Sequence, residues 1–261
     1  MTTPTSQESV RLADGAAVPL VGFGTWQLAG ADAYNGVRAA LEIGYRHIDT
    51  ATGYANEDQV GAAVRDSGVG RENVFITTKC PPGNAGRERE TLDDSLKALG
   101  VDFVDLWLVH WPPNGEARPA TWKAFIEALE QGKTRSIGVS NYSLAQIDEL
   151  IAATGTAPAL NQIPWNPFLY DQHEVTGLGA RNVVLEGYSP LKRSDLSHPA
   201  LREIADAHGK TPAQVILRWH VEHGFVVIPR SARRERIEEN FAIFDFKLTA
   251  DELSQLDGLD A

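Results

Sequence analysis

The sequence predicts an α/β protein, a (β/α)8 TIM barrel with an N-terminal β-hairpin and two extra C-terminal helices. Three observations predict it. From residue 20 onward, eight short apolar runs alternate with helical patterns, the pattern of a parallel sheet wrapped in helices. Eight repeats in 261 residues fit a single barrel domain spanning 1–261. Apolar runs also stop at Asp49, Lys79 and His110, and strand C-termini are where a barrel gathers reactive groups. The rival doubly wound sheet is marked by G-x-G-x-x-G. Here Gly22-Phe23-Gly24 continues into Thr25, Trp26 and Gln27 without a third glycine. The glycine pair reads instead as a tight strand-to-loop turn.

The hairpin comes first: VRLADGAAVPLV at 10–21 is two short apolar runs around Asp14-Gly15. Strand 20–22 and helix 32–43 follow, the helix closing at Gly44. Strand 46–49 leads to helix 57–67, with Asn56 and Glu57 as its start signal and Gly68 at its end. Strand 74–78 and helix 87–98 close at Gly100, and strand 104–108 and helix 119–131 close at Gly132. Strand 135–139 precedes helix 144–153, which Ser143 opens, and strand 158–161 precedes helix 171–179. Strand 183–187 is followed by helix 199–208, ending at Gly209, and by helix 212–222, opened by Thr211-Pro212. Strand 225–228 is the last. Helices 233–241 and 249–257 follow it, the second opened by Thr249 with Glu252 as a capping box.

Composition narrows the function classes. A formal net charge of −11 disfavours nucleic acid, because phosphate contacts need clustered Lys and Arg. One basic cluster, at 230–236, needs its own explanation. The single cysteine, Cys80, allows no internal disulfide and suits a reducing, cytoplasmic setting. It reads as a buried, inert thiol. MTTPTSQESV lacks the basic start and apolar core of a secretion signal. No apolar run of about 18 residues occurs, so no membrane span is expected. A monomer is expected.

The strand ends carry the chemistry, in YRHIDTATGY (45–54), VFITTK (74–79) and FVDLWLVH (103–110). Each residue has a plain structural reading. Asp49 could be a turn residue, Tyr54 a half-buried aromatic, Lys79 a solvated lysine and His110 a core histidine. Their coincidence at one barrel face favours a single acid–base cluster. A phenol with a pKa of about 10 exchanges protons poorly at neutral pH. A nearby ammonium lowers that value, and an Asp holds the ammonium charged and in place. A histidine can hydrogen-bond a substrate oxygen. Together they would protonate an oxyanion forming on a carbonyl carbon, which suits carbonyl reduction by hydride from a cofactor. His220 and His223 have helical metal-ligand spacing but no third ligand motif, so a packing pair is the plainer reading and no metal is expected. Gly138-Val139-Ser140 has Tyr142 where G-x-S-x-G needs glycine.

At this point the chain resembles the aldo-keto reductase family, over nearly its whole length and in its bacterial, diketogluconate-reductase-like branch. GFGTWQL (22–28) is similar to the family's opening motif. GYRHIDTATGYANEDQVG (44–61), GKTRSIGVSNYS (132–143) and IPRSARRERIEEN (228–240) are similar to its three signatures. The resemblance implies a reductase that takes NADPH and a small-molecule carbonyl substrate. Tyr54 would be the general acid, Lys79 and Asp49 would tune it, and His110 would orient the carbonyl. Gly24, Thr25 and Trp26 would line the cofactor, and Ser140, Asn141 and Gln162 would hold the nicotinamide carboxamide. Tyr188 would stack on the ring, and Ser189, Pro190 and Leu191 would follow the pyrophosphate. Arg230, Ser231 and Arg236 would grip the 2′-phosphate, and Glu239 and Asn240 the adenine. The basic cluster also has its own rationale: a phosphate wants fork-shaped donors at a helix start.

Some positions depart from the pattern. Arg230 replaces a usual Lys, and Arg233 a small hydroxyl residue. NQIPWNPF (161–168) brings in Pro164, Trp165 and Asn166. The chain ends at Ala261, close behind helix 249–257. A short tail of that kind implies an open, less selective pocket, or one completed by another subunit. Trp26 and Trp111 are expected pocket walls, although a packing Trp fits the sequence equally well. The alternative function is an NADPH-binding regulatory or sensor protein on the same barrel, with vestigial chemistry.

Overall fold

The computed structural model describes residues 8–259. Most of the segment read for a secretion signal, and the chain end at 260–261, lie outside that range. The hairpin is β1 (Ser9–Arg11) and β2 (Ala17–Pro19), paired antiparallel with Val10 opposite Val18. The barrel strands are β3 (Phe23–Gly24), β4 (His47–Asp49), β5 (Phe75–Cys80), β6 (Val104–Val109), β7 (Thr134–Ser140), β8 (Leu160–Pro164), β9 (Val184–Tyr188) and β10 (Val226–Ile228). They pair in chain order, every neighbour parallel. The crossover helices are α1 (Ala31–Ile43), α2 (Glu57–Asp66), α3 (Glu88–Leu99), α4 (Pro119–Glu130), α5 (Leu144–Thr154) and α6 (Gln172–Ala180). Between β9 and β10 lie α7 (Pro199–His208) and α8 (Pro212–Glu222), and α9 (Arg234–Phe241) and α10 (Ala250–Asp257) follow the last strand.

The ends of the sheet meet. Gly22 N–H donates to Val227 O at 2.8 Å, Val227 N–H to Leu20 O at 2.8 Å, and Gly24 N–H to Pro229 O at 3.1 Å. This seam explains the glycine pair, which is more than the tight turn expected. A Cβ on Gly22 would lie 2.6 Å from His47 Nδ1 and 2.8 Å from Ile228 Cγ2, and one on Gly24 would lie 2.9 Å from Ile228 O. Only glycine lets the first and last strands come this close.

The helix signals hold unevenly. Ser143, Thr211 and Thr249 each close a capping box, with Gln146, Gln214 and Glu252. Asn56 does not cap α2. Its buried amide donates to Thr25 O at 3.0 Å and Leu28 O at 2.9 Å, and accepts from Thr50 Oγ1 at 2.7 Å. It therefore ties the loop after β3 to the loop after β4. Tyr45 anchors α9 through its hydroxyl to Ile237 O, at 3.1 Å, and its ring against Phe241. The far end of α10 is tied to α8 by side chains: Trp219 Nε1 and His223 Nε2 both reach Asp257 Oδ1, at 2.7 and 2.9 Å.

Candidate active site

The strand C-termini place the predicted groups together. Asp49 ends β4, Lys79 lies one residue from the end of β5, and His110 directly follows β6. Tyr54 ends the 3-10 turn Thr52–Tyr54 just beyond β4. Thr52 fastens that turn by donating from Oγ1 to Lys79 O at 3.0 Å.

Lys79 is fully buried. Its Nζ donates to both Asp49 carboxylate oxygens at 2.7 Å, to Thr50 O at 2.9 Å and to Tyr54 OH at 3.3 Å. The ammonium also lies 4.9 Å from the Tyr54 ring centre. Burial works against the Lys79 ammonium, but the attraction of its acidic neighbours, Asp49 first, outweighs it, and its pKa moves up. Lys79 therefore stays charged. The His110 ring meets Tyr54 edge-on, with centroids 5.6 Å apart. Burial, with Lys79 nearby, pushes His110 down to about 3, so its imidazole is neutral at physiological pH. For Tyr54 the outcome differs from the expected lowering. Burial raises its pKa, Lys79 pulls it back, and the net direction is up. The phenol is thus held in its proton-bearing form.

Beside this quartet lies an amide network. Ser140 ends β7, and its Oγ donates to Gln162 O at 2.8 Å. Asn141 has φ 63°; its Nδ2 donates to His110 O at 3.1 Å and Ser140 Oγ at 2.9 Å, and its Oδ1 accepts from Tyr188 OH at 2.8 Å. Tyr188, at the end of β9, is half-buried. Gln162 Nε2 donates to Asp49 Oδ2 and to Glu186 Oε1, both at 2.9 Å. The sequence reading missed Glu186. Its signal was an acid in the middle of the apolar run VVLEGY (183–188).

The other predicted residues divide by location. Thr25 is buried and donates from Oγ1 to Asp49 O at 2.9 Å, and Gly24 belongs to the seam. Ser189 has φ 52° and starts the turn that carries Pro190 and Leu191 away from β9. Lys192 Nζ stacks 4.7 Å from the Trp26 ring centre. Trp26, Trp111 and Leu196 are the large exposed apolar side chains among the described residues. All three stand in loops that follow strand C-termini, so they rim the mouth.

Past β10, Arg230 Nη2 donates to Gln27 Oε1 at 3.1 Å. Ser231 Oγ accepts from Arg233 N–H at 3.0 Å, at the start of α9. Arg234 is taken up by Glu42 and Glu238. Among the described residues Arg233 and Arg236 have no acid partner, in a chain of net charge −11. Glu239 Oε1 accepts from Thr211 Oγ1 at 2.7 Å, and Asn240 is buried.

Several other features turn out to be packing. Trp165 is buried against Tyr170 and Phe225, and Asn166 Oδ1 caps the turn Pro167–Leu169 by accepting from Phe168 N–H at 2.9 Å. His220 bonds Ile216 O and Trp165 O, while His223 pairs with Asp257, so the two histidines serve different partners. Cys80 is buried, and burial pushes its thiol up to about 12. No helix among the described residues is long and apolar enough to cross a membrane.

The model of the Aldo/keto reductase family matches residues 20–261. An aldo-keto reductase of Mycolicibacterium smegmatis is 43% identical over 256 residues, covering 96% of this chain and 93% of that protein. Methylglyoxal reductase DkgA of Escherichia coli is 40% identical over 255 residues, covering 96% of this chain and 93% of its own length. The crystal structure of an aldo/keto reductase from Brucella melitensis superposes with a TM-score of 0.96 at 42% identity, over 99% of this chain and all of that one.

Proposed function

This chain belongs to the aldo/keto reductase family and is an oxidoreductase of carbonyl compounds, and from that premise we propose that Tyr54 is its general acid and NADPH its hydride source. The observation that carries this reading is Lys79 Nζ, held by both Asp49 oxygens and still 3.3 Å from Tyr54 OH. A protonated phenol against a fixed ammonium is ready to donate. As its proton leaves for the carbonyl oxygen, the developing phenolate meets a positive charge already in place. His110, neutral at working pH, offers one N–H to the same oxygen without competing for the proton. The reverse reaction would start from the phenolate, which burial disfavours, so alcohol oxidation should speed up toward alkaline pH.

NADPH, when bound, supplies the hydride. The residues present fit it. Arg233 and Arg236 are exposed cations without acid partners, beside Ser231 at a helix start, which suits a phosphate. Arg230, Ser231 and Arg236 are proposed to hold the 2′-phosphate, with Glu239 and Asn240 at the adenine. Ser189, Pro190 and Leu191 would follow the pyrophosphate, Tyr188 would carry the nicotinamide ring, and Ser140, Asn141 and Gln162 its carboxamide.

Trp26 and Trp111 give the mouth an apolar rim, which suits aldehydes and ketones of modest size. The likeness to a methylglyoxal reductase makes small 2-oxoaldehydes the first candidates. The regulatory alternative draws no support from these relatives. With its lone, buried cysteine, the protein is proposed to act as a cytoplasmic monomer. The test is a panel of 2-oxoaldehydes, aldehydes and ketones with NADPH and with NADH. Alcohol product matching NADPH consumed, at a lower Michaelis constant than for NADH, is the expected result. No turnover with either nucleotide across the panel would refute the reading.

A further inference from the structure

We propose that Glu186 is a positioning residue that makes the Gln162 side chain an acceptor-only contact for the nicotinamide carboxamide. The inference rests on the proposed place of Gln162 beside that carboxamide. A glutamine amide nitrogen has two hydrogens to give. One goes to Asp49 Oδ2 and the other to Glu186 Oε1, each at 2.9 Å. Nothing is left on Nε2 for a ligand, so the amide oxygen is the one atom of the Gln162 head that can still bond one. That oxygen can take an N–H from the carboxamide. It has nothing to offer a ligand that presents only a carbonyl.

Asp49 cannot impose this alone. It uses one N–H, and the second would remain available to any acceptor. Glu186 removes that second donor. Its location supports the role. It lies in mid-strand on β9 and is fully buried, on an interior face shared with Asp49, Lys79 and Gln162. A buried acid is costly to keep unless it does something there. Its other oxygen, Oε2, is buried without a partner. Burial, with the negative charge of Asp49 alongside, pushes Glu186 up to about 8. At neutral pH it is therefore mostly the neutral acid, whose carbonyl oxygen still accepts from Gln162, and the unpartnered oxygen carries no full charge.

The experiment compares NADP⁺ with its 3-acetylpyridine analogue, in which a methyl ketone replaces the carboxamide and the N–H donor is lost. Dissociation constants are read by quenching of tryptophan fluorescence, so the different redox potential of the analogue does not enter. The wild-type protein is expected to bind NADP⁺ about tenfold more tightly than the analogue, the scale of one net hydrogen bond. Glu186→Met keeps the side-chain shape and removes the acceptor, freeing an N–H for the ketone. The ratio should then fall to within about twofold of one. Glu186→Leu repeats the test should the Met variant fail to fold. Glu186→Gln restores an acceptor oxygen and should restore the tenfold ratio.

A role in packing alone would weaken both ligands equally and leave the ratio unchanged in Glu186→Met and Glu186→Leu, and that result overturns the inference. So does a Glu186→Gln protein that loses the ratio as Met does. Wild-type protein that binds neither nucleotide would instead refute the functional reading on which the inference rests.

Discussion

Tyr54 and Lys79 lie 3.3 Å apart because two strand ends and one 3-10 turn converge, and each residue carries a distinct expectation. Tyr54→Phe should lower turnover by about 10² or more, the usual weight of general acid catalysis, while leaving NADPH affinity nearly unchanged. Steady-state kinetics and nucleotide titration check the two halves separately. Lys79→Met should destabilise the fold by about 3–5 kcal/mol, because Asp49 is left as a buried, unpaired carboxylate. Pairing it with Asp49→Asn should recover part of that loss, read as urea midpoints of the single and double variants. The sequence announced these residues because each one ends or follows an apolar run. It did not announce Glu186 or the work of Asn56. An Asn before a helix resembles a cap, and its actual partners, Thr25 O and Leu28 O, are 31 and 28 residues away along the chain. The rise in the Tyr54 pKa was equally hidden, since it depends on how deeply the fold buries the ring.

At the level of elements, the start of α9 separates its arginines by task. Arg234 bridges to α1 through Glu42, while Arg236 has no acid partner among the described residues. If Arg236 holds the 2′-phosphate as proposed, Arg236→Ala should raise the Michaelis constant for NADPH far more than for NADH, and equal changes with both nucleotides would refute that proposal. The seam beside β3 and β10 leaves no room for a Cβ at Gly22 or Gly24. Gly22→Ala drives a methyl to within 2.6 Å of His47 and should cost about 1–3 kcal/mol, measured by chemical denaturation. Helix and strand order was readable from the alternation of apolar runs, and capping residues fixed several helix starts. The barrel was readable but the tight packing at its seam was not, because a Cβ on Gly22 would meet His47 of β4 and Ile228 of β10, and one on Gly24 would meet Ile228 O, neighbours that only the folded ring brings together.

For the whole molecule, buried titrating groups shape stability against pH. His47 and His110 are pushed down to about 3, and His220 to about 4, mainly by burial, from an ordinary value of 6.5. The unfolded chain binds protons there that the folded chain refuses, so stability is lost as pH falls below 6.5. Glu186 acts in the opposite sense. It is raised to about 8 from an ordinary 4.5, so the folded state holds a proton the unfolded chain gives up, and stability declines as pH rises from 4.5 through 8. Asp49 and Glu57 are also raised by burial and act in the same sense as Glu186, so stability should peak at an intermediate pH and fall on both sides. Melting temperatures across pH should trace that dome, and Glu186→Gln should flatten its alkaline side. The ring closure has a further consequence during synthesis. Until Val226–Ile228 leaves the ribosome, β3 has only one neighbour and β9 is a raw edge, both open to pairing with another nascent chain. A message truncated just before β10 should therefore yield aggregate rather than a smaller soluble barrel.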